Sequence, residues 1–338
     1  MIMKKNVLIT GVTGMVGSHL VDYLLKKTDW NIYGLCRWRS PLSNVEHLLD
    51  LANRRNSRIK FIYADLNDYS SLITAVEKSK PNYLFHLAAQ SYPHTSFVEA
   101  NITLDTNIIG TYNILNAIKQ LKFNPLIHVC SSSEVFGRVK KEDLPIDENC
   151  SYHPASPYAI SKAGTDLIGR YFYEAFNLKI LITRMFTHTG PRRGDVFAES
   201  SFAKQIAMIE LKKIKPLIKV GNLDSLRTFA DVRDAVYAYY LLLTKNPKPG
   251  EVYNIGGTYS CTIKEMLNFL ISLSKVKNIR IIQDPDRIRP IDADLQVPNT
   301  KKFMDITGWK PKISFQKTMI DLLDYWRIKV KKNNFLDR

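Results

Sequence analysis

Residues Val7 to Gly17 read VLITGVTGMVG, and the reading of this stretch decides the fold. The apolar run Val7, Leu8 and Ile9 is of the kind that makes a strand buried on both faces. Gly11, Gly14 and Gly17 follow at three-residue spacing. Val16, Leu20, Leu24 and Leu25 then recur as they would along one face of a helix. Strand, glycine turn and helix make a place for the pyrophosphate of a dinucleotide. Gly11 permits the tight turn, Gly14 lets the backbone approach the phosphates, and Gly17 lets the helix pack closely on the strand. The helix start, with Thr13, Met15 and Val16 around it, turns free N–H groups and a positive dipole end to the anion. The spacing alone also fits a glycine turn with no ligand. Its position on the first strand of an α/β alternation is what makes it a dinucleotide site.

A chain of 338 residues makes one large domain or two. Its 45% hydrophobic and 24% charged content is ordinary for a soluble globular protein. No apolar run is long enough to span a membrane, and MIMKKN leads into the first strand with no room for a signal peptide. Cys36, Cys130, Cys150 and Cys261 show neither metal nor redox spacing, which fits a reducing cytoplasm. The net charge of +16 fits either a generally basic surface or attraction of polyanions. The basic residues are scattered, however, and only Lys329-Val330-Lys331-Lys332 is a cluster. Neither nucleic acid nor a membrane is therefore the expected partner; a small phosphorylated ligand is.

Further along, a second strand covers 32–36. NAD-selective sites place an acidic residue at its end to bond the ribose 2′-hydroxyl. Here the chain reads Cys36-Arg37-Trp38-Arg39-Ser40. Arginines can hold a 2′-phosphate, so Arg37 and Arg39 favour NADP over NAD. A helix over 45–52, a strand over 59–63 and a helix over 70–78 follow. Asp65 is placed either to meet an adenine amino group or to serve as a turn residue. A strand over 83–86 leads into Leu87-Ala88-Ala89-Gln90-Ser91, whose small residues let the backbone sit against the cofactor. His86 at the strand end reads as structural. A long helix over 101–120 and a strand over 126–130 complete a β–α alternation that predicts a parallel sheet. Gly11, Ala88 and Ser132 would share its carboxyl edge, where ligands bind in such sheets.

Tyr158-Ala159-Ile160-Ser161-Lys162 puts Tyr158 and Lys162 on one helical face. A nearby ammonium lowers a phenol's pKa, and the phenolate can then take a proton from a sugar hydroxyl. From Arg184 to Gly194 the chain reads as a polar loop. Helices over 201–212, 232–243 and 263–273 and strands over 217–220 and 252–255 read as a smaller C-terminal lobe folded back over the sheet edge. Arg193, Arg227 and Arg289 could bind a second diphosphate there, since arginine matches phosphate geometry with paired bonds. The expected fold is thus α/β: a Rossmann-type doubly wound parallel sheet over 1–185, with a mixed α/β substrate lobe over 186–330 and some chain crossing back.

TGVTGMVG, LAAQS, SSSEVFG and YAISK, in this order, resemble the extended short-chain dehydrogenase/reductase family, and within it the nucleotide-sugar 4,6-dehydratases. The resemblance covers nearly the whole chain. Pro191-Arg192-Arg193-Gly194, Asn222-Leu223-Asp224 before Arg227, Arg289-Pro290 before Asp292, and Gly308-Trp309-Lys310-Pro311 are similar to the GDP-mannose 4,6-dehydratases. The resemblance implies an NADP-dependent homodimer or homotetramer acting on a GDP-sugar. In that family the sugar is oxidised at C4, water is lost across C5 and C6, and the hydride returns to C6. It implies Tyr158 as the base at the 4-hydroxyl and Lys162 as the partner that lowers its pKa and holds the nicotinamide ribose. Ser132 would bond the 4-oxygen, and Glu134 would remove the C5 proton. Ser133 stands where glucose-type dehydratases have an aspartic acid, so Glu134 serves both steps or a water assists. Further cofactor contacts are implied at Leu66 and His188. Substrate contacts are implied at Gln90, Ser91, Thr187, Val220, Asn222 and Asp292. No metal is implied.

Two positions depart from the GDP-mannose pattern: Thr187 stands for an asparagine, and Arg227-Thr228-Phe229 for an Arg-Asp-Trp run. GDP-mannose, GDP-N-acetylglucosamine and a GDP-heptose all stay open as substrates. A nucleotide-sugar 4-reductase or epimerase of the same fold is the competing reading. A non-catalytic dinucleotide sensor is a third, but it would have no use for the acid–base set.

Overall fold

The structure, a computed structural model, describes residues 4–288, 290–291 and 293–333. Arg289 and Asp292, both expected at the substrate, lie outside the described residues.

Through residue 130 the chain alternates as the sequence predicts, and a sixth strand, absent from that reading, follows the helix that carries Tyr158. The strands are β1 (Asn6–Thr10), β2 (Asn31–Cys36), β3 (Ile59–Tyr63), β4 (Tyr83–His86), β5 (Leu126–Cys130) and β6 (Ile180–Met185). Between them run α1 (Met15–Lys27), α2 (Glu46–Ala52), α3 (Tyr69–Ser79), α4 (Pro93–Val98), α5 (Ala100–Leu104), α6 (Gly110–Gln120) and α7 (Pro157–Phe176). After β6 come β7 (His188–Thr189), α8 (Ala198–Glu210), β8 (Leu217–Val220), β9 (Leu226–Asp231), α9 (Val232–Thr244) and β10 (Val252–Ile255). The chain ends with β11 (Tyr259–Thr262), α10 (Ile263–Ser272), β12 (Arg280–Gln283), β13 (Leu295–Gln296), α11 (Lys301–Thr307) and α12 (Phe315–Lys331).

Seven strands form one parallel sheet in the order β10-β6-β5-β4-β1-β2-β3. The order reverses between β1 and β4, and that switch point opens the crevice where such sheets take ligands. β1 shows why its sequence is apolar throughout. Val7 and Ile9 enter a core shared with α1 and α9, whereas Leu8 enters the opposite core shared with α3 and α6. Full burial of such side chains stabilises by roughly 1.5–3 kcal/mol each.

Three features differ from the sequence reading. First, Arg184 and Met185 are not loop but the end of β6. The Arg184 guanidinium is buried, held by Asp166 Oδ2 at 2.9 Å, the Glu148 carbonyl at 2.8 Å and the Tyr152 hydroxyl at 2.6 Å. Second, α9 and β10 join the large sheet rather than the lobe. β10 pairs with β6, and Ala235, Val236 and Tyr239 of α9 fill the core that Val7 and Ile9 enter. Third, the helix read over 101–120 is broken at Asp105–Ile109 by a π-helical turn. The lobe proper is α8, α10 and α12 around the small sheets β8–β12 and β11–β9–β13, with Phe202, Ile206, Phe229, Met266, Met319 and Trp326 in its core.

Candidate active site

The glycine turn is built as its sequence demands. Gly11 has φ +71°, and a Cβ there would lie 2.8 Å from the backbone N and Cα of Ala88. Only glycine relieves both constraints. At Gly17 a Cβ would lie 2.4 Å from the Gly11 carbonyl, so the helix packs on the turn through a bare backbone. Gly14 is different: an added Cβ would meet only the Gly11 carbonyl, at 3.2 Å, so its outer side is open. Gly14 caps α1 with no side-chain bond, and no acidic residue stands in the first turn. Free N–H groups therefore converge on open space, which fits a pyrophosphate.

Thr10, at the end of β1, fixes the facing wall. Its hydroxyl oxygen accepts the N–H groups of Leu87 and Ala88, each at 3.0 Å. Its own proton is then directed to His86 Nδ1 at 2.9 Å. His86 consequently carries its proton on Nε2 and donates to Thr111 Oγ1 at 3.0 Å, and that hydroxyl donates to the Asn107 carbonyl at 2.5 Å. Burial, and then the Lys162 charge, push the His86 pKa down to about 3. His86 is thus a neutral structural connector.

Asn107 sits in the π-helical turn and clamps the next segment. Its carboxamide accepts from Gln90 N at 2.8 Å and donates to Gln90 O at 2.9 Å and Ser161 Oγ at 2.8 Å. The Gln90 side chain, expected at the substrate, folds instead onto the Tyr92 backbone, with bonds of 2.7 and 3.2 Å. Ser91 is exposed beside it. At the other end of the cradle, Arg37 and Arg39 are exposed past β2, and among the described residues neither guanidinium has an ion pair. One Asp65 oxygen accepts from Asn67 N at 3.0 Å, a turn contact. Leu66 is buried against Gly110.

Past β5 the chain turns into a short 3₁₀ segment, Ser133–Phe136, capped by Ser132 Oγ accepting from Glu134 N at 3.2 Å. Ser132 and Ser133 are buried and Glu134 is half-buried. α7 delivers Tyr158 from the opposite side. Pro157 and the Ser156 cap start the helix, and Ser96 Oγ accepts Tyr158 N at 3.1 Å. Ser132, Glu134 and Arg193 all bear on the Tyr158 phenol.

Burial dominates the electrostatics of the phenol. The Tyr158 pKa is raised well above its ordinary value. Burial is the largest cause, Ser132 and Arg193 pull it down, and Glu134 pushes it up. The Lys162 ammonium donates to the Cys130 carbonyl at 2.7 Å, and burial lowers its pKa. Desolvation of the phenolate outweighs the neighbouring charges.

Arg193 comes from the turn after β7. Its guanidinium lies 3.3 Å from the Phe197 ring centroid and bonds Glu199 Oε1 at 3.2 Å. Burial depresses its pKa, and Glu199 opposes that shift. The turn is latched to α1 by His19 Nε2 at 3.0 Å from the Pro191 carbonyl and by Arg192 at 2.7 Å from Asp22. His188 is a neutral imidazole: burial first, then Arg193, depress its pKa to about 4. The Thr187 carbonyl accepts Ala230 N at 2.9 Å.

The expected lobe residues sit farther out. Val220 is core, and Asn222 Nδ2 donates to Ser225 Oγ at 3.1 Å. Arg227 is buried in β9, donating to the Leu226 carbonyl at 3.3 Å and to the Ala293 carbonyl. The lobe meets the sheet domain where His94 Nε2 approaches the Asp286 carbonyl at 3.0 Å. Thr10, Asn107, Ser96 and Glu199 are the supporting residues that the sequence reading missed. A hydroxyl closing an apolar strand was a signal for Thr10. Asn107 and Glu199 gave none.

A doubly wound sheet with a serine, tyrosine and lysine gathered at its carboxyl edge defines an enzyme of the short-chain dehydrogenase/reductase type. A profile of GDP-mannose 4,6 dehydratase matches residues 8–322. GDP-6-deoxy-D-mannose reductase of Pseudomonas aeruginosa is 30% identical over 331 residues, spanning 98% of this chain and 100% of that protein. GDP-mannose 4,6 dehydratase of Drosophila melanogaster is 31% identical over 340 residues, spanning 94% of this chain and 85% of that one. Among solved structures, RMD from Pseudomonas aeruginosa complexed with NADPH superposes with a TM-score of 0.81 at 29% identity, covering 96% of this chain and 100% of that one. UDP-glucose 4-epimerase of Thermotoga maritima, with UDP-glucose, gives 0.83 at 25% identity, covering 96% and 99%. The chain belongs to the GDP-mannose 4,6-dehydratase family.

Proposed function

We propose that the protein is an NADP-dependent GDP-sugar 4,6-dehydratase whose substrate is of the GDP-mannose or GDP-N-acetylglucosamine type. The observation that carries this reading is Glu134. Its half-buried carboxylate stands within electrostatic reach of the Tyr158 phenol, and among the described residues it has no hydrogen-bond or ion-pair partner. A reductase needs a proton donor at the 4-oxygen, which Tyr158 alone supplies. A free carboxylate beside it suits a second task, removal of the C5 proton.

Bound at the glycine turn, NADP supplies the hydride acceptor and donor, and Arg37 and Arg39 would hold its 2′-phosphate. Tyr158 takes the proton of the sugar 4-hydroxyl, and Ser132 holds that oxygen. Lys162, fixed by the Cys130 carbonyl, stands one helical turn below Tyr158 to hold the nicotinamide ribose. Glu134 takes the C5 proton, which the C4 ketone has acidified. Ser133 has a hydroxyl but no acidic proton near neutral pH, so Glu134 then protonates the departing 6-hydroxyl. Arg193 lies beside this group and would meet the anionic part of the substrate.

The competing reading, a GDP-sugar 4-reductase, is favoured by the Pseudomonas aeruginosa relative that this chain matches from end to end. Incubation with NADP and a panel of GDP-hexoses separates the two. A dehydratase gives a product lighter by one water with no net NADPH; a reductase consumes NADPH on a 4-keto sugar. Glu134→Gln should retain C4 oxidation, seen as transient reduced nicotinamide, and lose dehydration by about 10²–10⁴-fold. Normal product release by that variant would assign the base elsewhere.

The active form is a homo-oligomer. Ile102, Ile109 and Tyr112 from the α5–α6 run and Ile160, Leu167 and Tyr171 from α7 are 41–57% exposed. They recur at spacings of seven and then three or four residues along two neighbouring helical runs, an apolar stripe that a second copy would cover. The four free cysteines suit a reducing cytoplasm. No helix among the described residues is long and apolar enough to cross a membrane.

A further inference from the structure

The lysines that are scattered in sequence converge in space at one end of the C-terminal lobe. α8, α10 and α12 all finish there. Glu210, the last residue of α8, ties them together. Its carboxylate takes Arg327 Nε and Nη2 at 2.8 Å each and the N–H of Lys275 at 3.0 Å. Arg327 also donates to the Leu273 carbonyl at 3.0 Å, and Lys213 to the Val330 carbonyl at 3.2 Å. Between these ends lies an open pocket of about 450 Å³ with an apolar floor of Ile209, Ile214, Pro216 and Val276. Lys212 and Lys215, Lys275 and Lys277, and Lys331 and Lys332 stand exposed around this end. Among the described residues, the acids nearest to it in sequence, Glu210 and Asp324, are both paired with Arg327.

Lysines at helix C-termini answer the helix dipole, and that effect has a size. Three helix ends present about −0.5 charge each, about −1.5 together. Six ammonium groups exceed that by roughly four charges. Among the described residues no acidic partner offsets the surplus. Apolar residues flank the cations: Leu211 is 44% exposed next to Lys212, and Ile328 is 58% exposed on the helical face of Lys331 and Lys332.

We infer that this face docks on an anionic phospholipid surface. Single-stranded nucleic acid is held by aromatic platforms together with a cationic groove, and often by the planar forks of arginine. Here the cations are lysines, and among the described residues no exposed aromatic residue is one of the flanking groups. Compact ammonium groups beside exposed aliphatic side chains match a charged headgroup layer, which makes no demand for planar or bidentate geometry. The site is distinct from the Tyr158 crevice and does not depend on which reaction occurs there.

Co-sedimentation with vesicles tests the inference. The full chain should pellet with phosphatidylcholine vesicles containing phosphatidylglycerol, should stay in solution with phosphatidylcholine alone, and should be released by salt. Each lysine removed should weaken partition about fivefold. The combination Lys212→Gln, Lys215→Gln, Lys275→Gln and Lys277→Gln should therefore weaken it by about two orders of magnitude or more. These positions are exposed, so circular dichroism and turnover should match the parent. Failure of the parent to bind anionic vesicles at low salt would overturn the inference. So would unchanged binding by the variant, or displacement from vesicles by a stoichiometric RNA oligonucleotide.

Discussion

Acidification from pH 6.5 to pH 5 should destabilise this protein far more than its carboxylates would suggest. His86 and His128 lie on adjacent strands, fully enclosed. Burial pushes both pKa values down to about 3, with the Lys162 charge adding to the shift in each. His19 and His188 are held at about 4, again chiefly by burial. A histidine whose folded pKa lies below its unfolded value of about 6.5 contributes stability that is complete above pH 6.5. That contribution drains away as the unfolded state takes up protons the native state cannot. It is exhausted only at the folded pKa. Over 1.5 pH units each such histidine costs about 1.6 kcal/mol, since the slope reaches about 1.4 kcal/mol per unit only well below pH 6.5. Four of them cost about 6 kcal/mol, the order of the whole stability of an ordinary domain, about 5–15 kcal/mol. Carboxylates with unfolded values near 4 are nearly silent in this window. The assay is urea unfolding of the ligand-free protein at pH 7, 6 and 5, followed by circular dichroism. His128→Phe, which keeps a ring against Tyr239, should remove about a quarter of the fall. A urea midpoint that does not move between pH 7 and 5 would refute the reasoning.

Four further outcomes are expected. Gly11→Ala, forced into φ +71° with its Cβ 2.8 Å from Ala88, should lose roughly 1–3 kcal/mol of stability together with cofactor affinity. Gly14→Ala meets only a carbonyl at 3.2 Å, so it should keep stability and lose affinity alone; parallel melting curves and calorimetric titrations read both. Trp38 is 78% exposed, packed edge-on to Tyr63 and flanked by Arg37 and Arg39, whereas Trp30, Trp309 and Trp326 are buried. Adding NADP should therefore change its fluorescence, and Trp38→Phe should abolish the change. Leu167→Asp, placed in the apolar stripe, should halve the mass seen by light scattering; an unchanged mass would remove that stripe from the interface.

Most of the parallel sheet was legible because its first five strands carry their own signal. β1, β4 and β5 are short apolar runs, and glycine or small residues follow them closely where the ligand edge lies. The tyrosine–lysine spacing was legible because a helix converts four residues into one face. Other parts escaped for physical reasons. Arg184 reads as a loop residue because its charge is neutralised by Asp166, eighteen residues away, a pairing that sequence does not display. β10 reads as lobe because seven-stranded sheets close with a strand distant in sequence. Asn107 is one polar residue among many in a helix until a π-helical turn makes it the clamp on Gln90. The basic face was invisible because it is assembled from three separate helix ends.

A second cation joins Lys162 at the Tyr158 end of the site. Lys162, one turn along the same helix, is tied to the Cys130 carbonyl, and Arg193 comes from a different element, the turn after β7, and lowers the phenol's pKa. Arg193 can carry its charge in a dry site because Glu199 and the face of Phe197 hold it, and Glu199 is itself buried at the start of α8. The basicity of the phenol is therefore set jointly by the sheet domain, which supplies Ser132 and Glu134, and by the segment leading into the lobe, which supplies Arg193. A shift of that turn relative to α7 would change the acidity of the phenol without moving any residue of the tyrosine–lysine helix. His19, latched to Pro191, and Arg192, latched to Asp22, are the contacts that keep the turn in register with α1 and so with the cofactor cradle.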